Sequence, residues 1–372
     1  MEHPVTLSEL PPAVVTAVGP SAAGPAKMMA ARGLAPLGPA DLVAALYLLS
    51  FDADAKLQAA ATGSLGKLPE KILLPALDAV AVPHVLDFVA TRLSGNEGAV
   101  ERIVLNPRTA DETLQRIASS AGERITELIA TNEARLLQVP AIIEALYLNK
   151  STRMSTATRL VELAARNGVV LSGIDAYKEI AAGVGQELIP EPSGEPLPSD
   201  LDFAQAQADG ADDVDVIRSK EGEEEGDEEV AAKYVPLHYK LQHMSISEKI
   251  RMAQIGTAAH RALLVRDPNR LVHMSVIRSP SLNEREVEGF VKNRGTPEEV
   301  IRFVTTRREW LRPYSIKHAL VANPKTPIQA ALHLLVHLRI GDLKGLARSK
   351  NVAAPVAQGA RELIKKKSGG GG

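Results

Sequence analysis

The chain has 372 residues and a formal net charge of −2, with 45% hydrophobic residues, only 3% aromatic ones and no cysteine. Lack of cysteine excludes disulfide frameworks, thiolate zinc sites and cysteine nucleophiles, and it suits a reducing cytoplasm. No apolar run approaches the roughly 18–20 residues of a membrane span, and the start, MEHPVTLSELPP, lacks the layout of a signal peptide, so a soluble, cytoplasmic, multi-domain protein is expected.

With so few aromatics the cores must be built from Ala, Leu, Val and Ile, a composition that favours helices packed through small side chains. Residues 19–27 (GPSAAGPAK) resemble a phosphate-binding loop, but Pro25 and Ala26 separate the second glycine from Lys27, and Met28 replaces the hydroxyl that would reach magnesium. A turn between helices is expected there instead. Residues 40–50 (ADLVAALYLLS) have apolar side chains at helical spacing after Pro39, and Asp52 and Asp54 precede a second helical stretch that they can cap. Pro69, Pro75 and Pro83 punctuate the next stretch of chain. Further helical segments are predicted over 110–118, 124–130, 140–148 and 155–167, with no two-residue alternation anywhere in this part.

Short motifs recur along the chain. VLNPRT (104–109) returns as YLNKST (147–152), 43 residues on, and as VANPKT (321–326). In this pattern Asn ends one helix, the next position turns the chain, and Thr caps the following helix. A second repeat, offset by 56, aligns 264–268 (LVRDP) with 320–324 (LVANP) and 286–294 (EVEGFVKNR) with 342–350 (DLKGLARSK).

Charge divides the chain more sharply than the total implies. Residues 1–186 hold 16 Lys/Arg and 19 Asp/Glu and read as a neutral helical-repeat domain. Residues 187–233 hold 16 acidic and 3 basic residues, and their Pro-, Gly- and Glu-rich composition predicts a disordered acidic linker. Residues 234–368 hold 24 basic and 10 acidic residues and form a basic helical-repeat domain, followed by a flexible tail at 369–372. A coil as long as this linker spans about 35–40 Å, enough to fold back over the basic domain.

The segment 52–61 (DADAKLQAAA) and the Asn-Pro-x-Thr turns resemble HEAT-like repeats and the leucine-rich-repeat variants found in many bacterial proteins. The resemblance implies an all-α fold of two α-solenoid-like domains that bind partners through extended surfaces, and it transfers no catalytic residues.

The strongest candidate site is the basic surface: Arg261, Arg266, Arg270 and Arg278 in the first copy, then Lys292, Arg294, Arg302, Arg307, Arg308 and Arg312, then Lys344, Arg348 and Lys350 in the second. Lys344 and Arg348 stand one helical turn apart, and their repulsion would be relieved by a polyanion. Three explanations stay open: an acidic protein partner or the linker itself, a nucleic acid, and a solvated face. Sparse aromatics argue against base stacking on Phe290, Phe303, Trp310 or Tyr314, so nucleic acid would mean backbone contact. His333 and His337, with His318, have helical spacing for a metal but lack the glutamate of the HExxH arrangement, and amphipathic packing explains them better. No nucleophile elbow, paired-carboxylate site or cofactor motif is present. The expectation is a non-catalytic adaptor without metal or cofactor.

Overall fold

In the computed structural model, which describes residues 5–189, 191–210, 216–218, 229–349 and 351–369, the chain divides into two compact units, Met1–Thr152 and Arg153–Gly372. The first holds α1 (Pro12–Val18), α2 (Gly24–Ala31), α3 (Pro39–Leu49), α4 (Ala55–Leu65), α5 (Glu70–Ala79), α6 (Pro83–Arg92), α7 (Glu97–Leu105), α8 (Asp111–Ser120), α9 (Glu123–Ala130), α10 (Glu133–Gln138) and α11 (Pro140–Leu148). The second holds α12 (Met154–Arg166), α13 (Tyr177–Val184), α14 (Pro198–Ala208), α15 (Val235–His243), α16 (Ile246–Ile255), α17 (Ala258–Leu264), α18 (Arg270–Ile277), α19 (Glu284–Lys292), α20 (Glu298–Thr306), α21 (Tyr314–Ala322), α22 (Ile328–Leu335), α23 (Ile340–Arg348) and α24 (Ala354–Gly369). Among the described residues the only strand pairing is a two-residue antiparallel one, Ile217–Arg218 with Glu229–Val230.

Local chemistry accounts for most helix starts. Pro12, Pro39, Pro83 and Pro140 each occupy a first helical position, where the missing N–H would have no intrahelical partner anyway. The Gly/Pro stretch at 19–27 resolves into Gly19 closing α1 and Gly24-Pro25 opening α2, as the turn reading expects. Asp54 accepts the Lys56 N–H at 2.8 Å and caps α4. Pro75 departs from expectation. It lies inside α5 rather than at a boundary, in a helix whose Leu73, Ala76 and Leu77 are all buried, so tertiary packing outweighs the lost backbone bond.

In the first unit packing runs largely between second neighbours: α1 on α3, α2 on α4, α3 on α5, α5 on α7, α6 on α8 and α7 on α9. The short α10 is passed over, and α8 packs on α11. This all-helical arrangement is compatible with a helical-repeat fold. Fully buried alanines, among them Ala45, Ala61, Ala76, Ala99 and Ala118, let the helices approach closely. Tyr47, Phe51 and Phe88 gather into one cluster with ring centroids 5.2–5.7 Å apart.

The Asn-containing turns do more than end helices. A helix leaves its last four carbonyls without intrahelical partners, and burial makes that costly. Asn106, at the end of α7, donates its side-chain amide to Leu77 O (2.7 Å) and Val80 O (3.0 Å) at the end of α5. Asn149, at the end of α11, donates in the same way to Ala118 O (2.8 Å) and Ala121 O (2.9 Å) at the end of α8. In the second unit Asn323, at the end of α21, reaches Val291 O of α19 at 2.6 Å. Each Asn Oδ1 also accepts the N–H two residues on, from Arg108, Ser151 and Lys325 respectively.

The threonine of the motif behaves differently from the sequence reading. It does not cap the following helix. Thr109 and Thr326 donate backwards to the carbonyls of Ile103 and Leu320, sealing the last turn of the helix just ended, and Thr296 in the similar turn VKNRGT (291–296) does the same to Phe290 O. Each hydroxyl is buried, and in that position the nearest unsatisfied group is a carbonyl rather than an N–H. The intervals of 43 and 56 also gain a physical meaning. Asn106 joins α5 to α7 whereas Asn149 joins α8 to α11, so the 43-residue interval relates helices of different rows. The 56-residue offset relates α17 to α21 and α19 to α23, two helix pairs apart.

In the second unit α13 packs on α12, α16 and α18, while α15, α17, α19 and α21 form a successive row. The division at Thr152 places α12 and α13 in the same unit as the basic helices. The acidic linker reading needs correction where it falls on described residues. Residues 198–208 are helical and docked. Asp200, buried, accepts Ser155 N–H (2.8 Å) and Ser155 Oγ–H (2.9 Å) at the start of α12, where the helix dipole favours a carboxylate. Phe203 is buried beneath the Arg251 guanidinium, 5.4 Å from the ring centroid. His260, fully buried, donates Nε2–H to Ala206 O (2.9 Å) while its Nδ1 accepts Thr257 N–H (3.0 Å), which fixes the neutral tautomer. Gly210 lets the chain pass this ring, since any Cβ there would overlap the imidazole. Composition missed this segment because three anchors, not a continuous apolar run, hold it. The acidic run at 219–228 lies outside the described residues.

Two outcomes are expected. Asn106→Ala strands two buried carbonyls and lowers stability by about 2–3 kcal/mol in urea titration, and Asn106→Asp, which keeps an acceptor but loses both donors, is at least as damaging. His260→Ala releases the end of α14 and speeds amide exchange across 198–208 about tenfold, as read by hydrogen-exchange mass spectrometry, while global stability falls less.

Candidate functional site

The cations singled out in the sequence separate into two populations. In the first, carboxylates are already in place. Arg261 is buried, not on the surface: Nε and Nη2 clasp Glu286 at 2.6 and 3.1 Å, and Nη1 donates to Gly256 O at 2.7 Å. Arg278 pairs with Glu179 at 2.7 Å and lies over the Phe303 ring. Arg270 pairs with Glu299 (3.1 Å), Lys292 with Glu288 (2.5 Å), Arg302 with Glu298 (2.6 Å) and Arg307 with Asp175 (3.7 Å). Arg307 also covers the Phe303 environment, 5.0 Å from the ring centroid, so that ring is no open platform for a base. Arg266 is half-buried.

Two of these carboxyls titrate below the usual range. Glu299 is lowered chiefly by the hydrogen bond from His273, with burial opposing and the Arg270 charge adding to it. Glu288 is lowered chiefly by its bond from Lys292, then by one from Ser315. Because their folded pKa values are depressed, these pairs contribute stability above the ordinary glutamate value of about 4.3 and lose it as pH falls through the folded values.

The second population consists of Arg294, Arg308, Arg312, Lys344 and Arg348. All are exposed, and among the described residues none has a carboxylate within 4.0 Å. Lys350 lies outside the described residues. They lie on different elements. Arg294 follows α19, whose C-terminal end adjoins that of α21 through Asn323 and through Lys325, which donates to Thr296 O at 2.8 Å. Arg308 and Arg312 precede α21, at whose start the Arg339 guanidinium is stacked 4.8 Å from the Tyr314 ring centroid. Lys344 and Arg348 share one side of α23, and Arg348, in its last turn, also complements the helix dipole. Tyr314 hydrogen-bonds Asp342 and accepts the Arg339 N–H (2.9 Å), so it anchors the start of α21 against α23.

Sequence reasoning missed an apolar line on the last helices. Ile328 and Leu332 stand four apart on α22 with Val336 four further on at its C-terminal end, Ile340 opens α23 beyond the turn at 336–339, and all four are exposed. The buried side of α22 is carried by Ala331, Leu334 and Leu335. With apolar residues on both sides, periodicity alone could not tell which would face water. His333 and His337 lie exposed beside the line and His318 is half-buried on α21. Among the described residues no three His, Asp or Glu side chains converge as a metal site.

In the first unit a cleft of about 350 Å³ is lined by Leu105, Leu114, Leu128, Ile129, Leu136 and Arg135, among others. Thr131 and Asn132 also line it, Arg135 is already held by Asp111 (2.7 Å) and by the Thr109 carbonyl, and no acid and base are paired in the lining. No described helix is long and apolar enough to cross a membrane. Set against known proteins, the chain matches no family model, no curated protein and no solved structure.

The two populations should respond oppositely to mutation. Arg261→Ala leaves Glu286 buried and unpaired and lowers stability by about 3–5 kcal/mol, whereas Lys344→Ala and Arg348→Ala stay within about 0.5 kcal/mol of the parent. Urea titration followed by circular dichroism checks both.

Proposed function

We propose that the protein is a non-catalytic adaptor of HEAT-like helical repeats, working in a reducing compartment such as the cytoplasm, whose C-terminal helices dock an acidic protein partner. The supporting observation is that Arg294, Arg308, Arg312, Lys344 and Arg348 are exposed without a carboxylate beside them, although Arg261, Arg270, Arg278, Lys292, Arg302 and Arg307 each have one. Exposed like charges at helical spacing are slightly unfavourable by themselves and become favourable against an anionic surface. In this reading the acidic run at 219–228 competes for the same cations in cis, and residues 1–152 hold a second partner.

Acids flanking that run already make contacts within the second unit. Glu187 accepts the Ser247 N–H (2.9 Å), Asp200 takes Ser155, and Asp209 pairs with Lys240. These contacts fall on α12, α15 and α16 and leave the cations of α23 uncovered, so competition would rest on the more acidic residues between 210 and 229. A nucleic acid is the rival polyanion. Burial of Phe290 and the guanidinium cover on Phe303 weigh against stacked bases.

Binding of the full chain to poly-glutamate and to duplex DNA, over a series of salt concentrations, tests the proposal. Poly-glutamate should bind and weaken about tenfold between low and high salt. A variant with the glutamates of 221–229 changed to glutamine should bind it several-fold more tightly. Preferential binding to the duplex, with a steep salt slope, would move the assignment to nucleic acid, and no salt-sensitive binding to either would remove it.

A further inference from the structure

We infer that the apolar line Ile328–Leu332–Val336 is a docking strip for an acidic amphipathic helix of a protein partner. This rests on the adaptor reading and deepens it by naming the form of the partner segment.

Shape comes first. Side chains four apart lie on one side of α22, so Ile328 to Val336 span about 12 Å, enough for about two turns of a partner helix to lay down an apolar edge. Leu332 is recessed, at 36% exposure, because α24 crosses α22 closely at Gly359, where an added Cβ would stand 3.0 Å from Leu332 Cδ2. Ile328 and Val336, at 47% and 55%, stand higher on either side. The strip is therefore a shallow groove beside α24 rather than a ridge.

Charge selects the occupant. Residues 325–369 hold nine Lys/Arg against two Asp/Glu, and both acids are engaged, Asp342 by Tyr314 and Glu362 by Gln358. On α23 itself Ile340, Lys344 and Arg348 follow at four-residue intervals, so one side of that helix carries an exposed aliphatic residue and two exposed cations. Lys367 stands at the Val336 end, its Nζ donating to Val336 O (3.2 Å) and Leu338 O (3.0 Å). A second copy of this chain would bring these cations against their own kind, which opposes self-association through this surface. An anionic membrane would meet a strip one side chain wide whose central leucine is recessed, a poor wedge for insertion. A helix with leucines along one edge and glutamates beside them matches both parts of the surface.

The test uses the full chain and a synthetic 21-residue peptide with leucines along one helical face and glutamates elsewhere. A control peptide of the same composition has its leucines scattered around the helix. Fluorescence anisotropy should show the amphipathic peptide binding at least tenfold tighter than the control. Ile328→Glu with Val336→Glu, both at exposed positions, should remove that preference, and Lys344→Glu with Arg348→Glu should weaken both peptides; circular dichroism confirms that each variant folds. Equal binding of the two peptides would overturn the strip and leave the adaptor reading standing. Failure of both peptides and of poly-glutamate would overturn the two together. Sedimentation as a dimer, lost in the Ile328/Val336 variant, would assign the strip to a second copy instead. Flotation with phosphatidylserine vesicles, lost in the same variant, would assign it to a membrane.

Discussion

The carboxamide of a buried asparagine is the constraint on which the rest of this architecture depends. Packing short helices side by side brings their C-terminal ends together and buries carbonyls that no helix can satisfy internally. Asn106 and Asn149 each supply two N–H donors to the neighbouring helix end, Asn323 supplies one, and all three close their own turn with Oδ1. A hydroxyl or a carboxylate could not do both, because neither carries two donors and an acceptor in one plane. The threonine three residues on satisfies a further carbonyl, at Ile103 and Leu320. Helices as short as eight or nine residues are marginal in isolation, so these bonds and the alanine-rich contacts between rows carry much of their order.

The same reasoning explains why an acidic segment with few apolar residues is nevertheless held. Its carboxylates find the exposed N–H groups at helix starts. Asp200 sits at the first turn of α12 and Glu187 at that of α16, where an anion is favoured by the dipole as well as by direct hydrogen bonds. His260 supplies the missing donor at the other end of α14. Three polar anchors and one phenylalanine thus do what a continuous apolar face does elsewhere.

Electrostatics in the second unit is a matter of pairing more than of total charge. Arg261 is a structural group, buried against Glu286 with a third donor on Gly256 O, and Arg278 and Arg307 share the Phe303 ring while each faces a carboxylate. The excess that remains lies toward the last helices, beside an apolar strip that folding left exposed. The juxtaposition of unneutralised cations with exposed aliphatic side chains, rather than the cations alone, gives that end its character as a binding surface.

Much of the fold was legible in the residues themselves. Pro39, Asp54 and Pro140 mark helix starts through backbone geometry and capping, effects that act within a few residues, and the helices over 55–65 and 140–148 appear where periodicity puts them. Asn106 and Asn149 were readable as helix ends for the same local reason. What they grip, Leu77 O and Ala118 O about thirty residues earlier, was not, since that depends on which helices become neighbours. The candidate site was legible only as a composition. Arg261 and Arg348 look alike in a sequence, and tertiary structure alone made one a buried ion pair and the other a solvent-facing cation, because a Coulombic partner is set by distance in space. The side of α22 that faces water was decided in the same way, by where α21 and α24 came to rest.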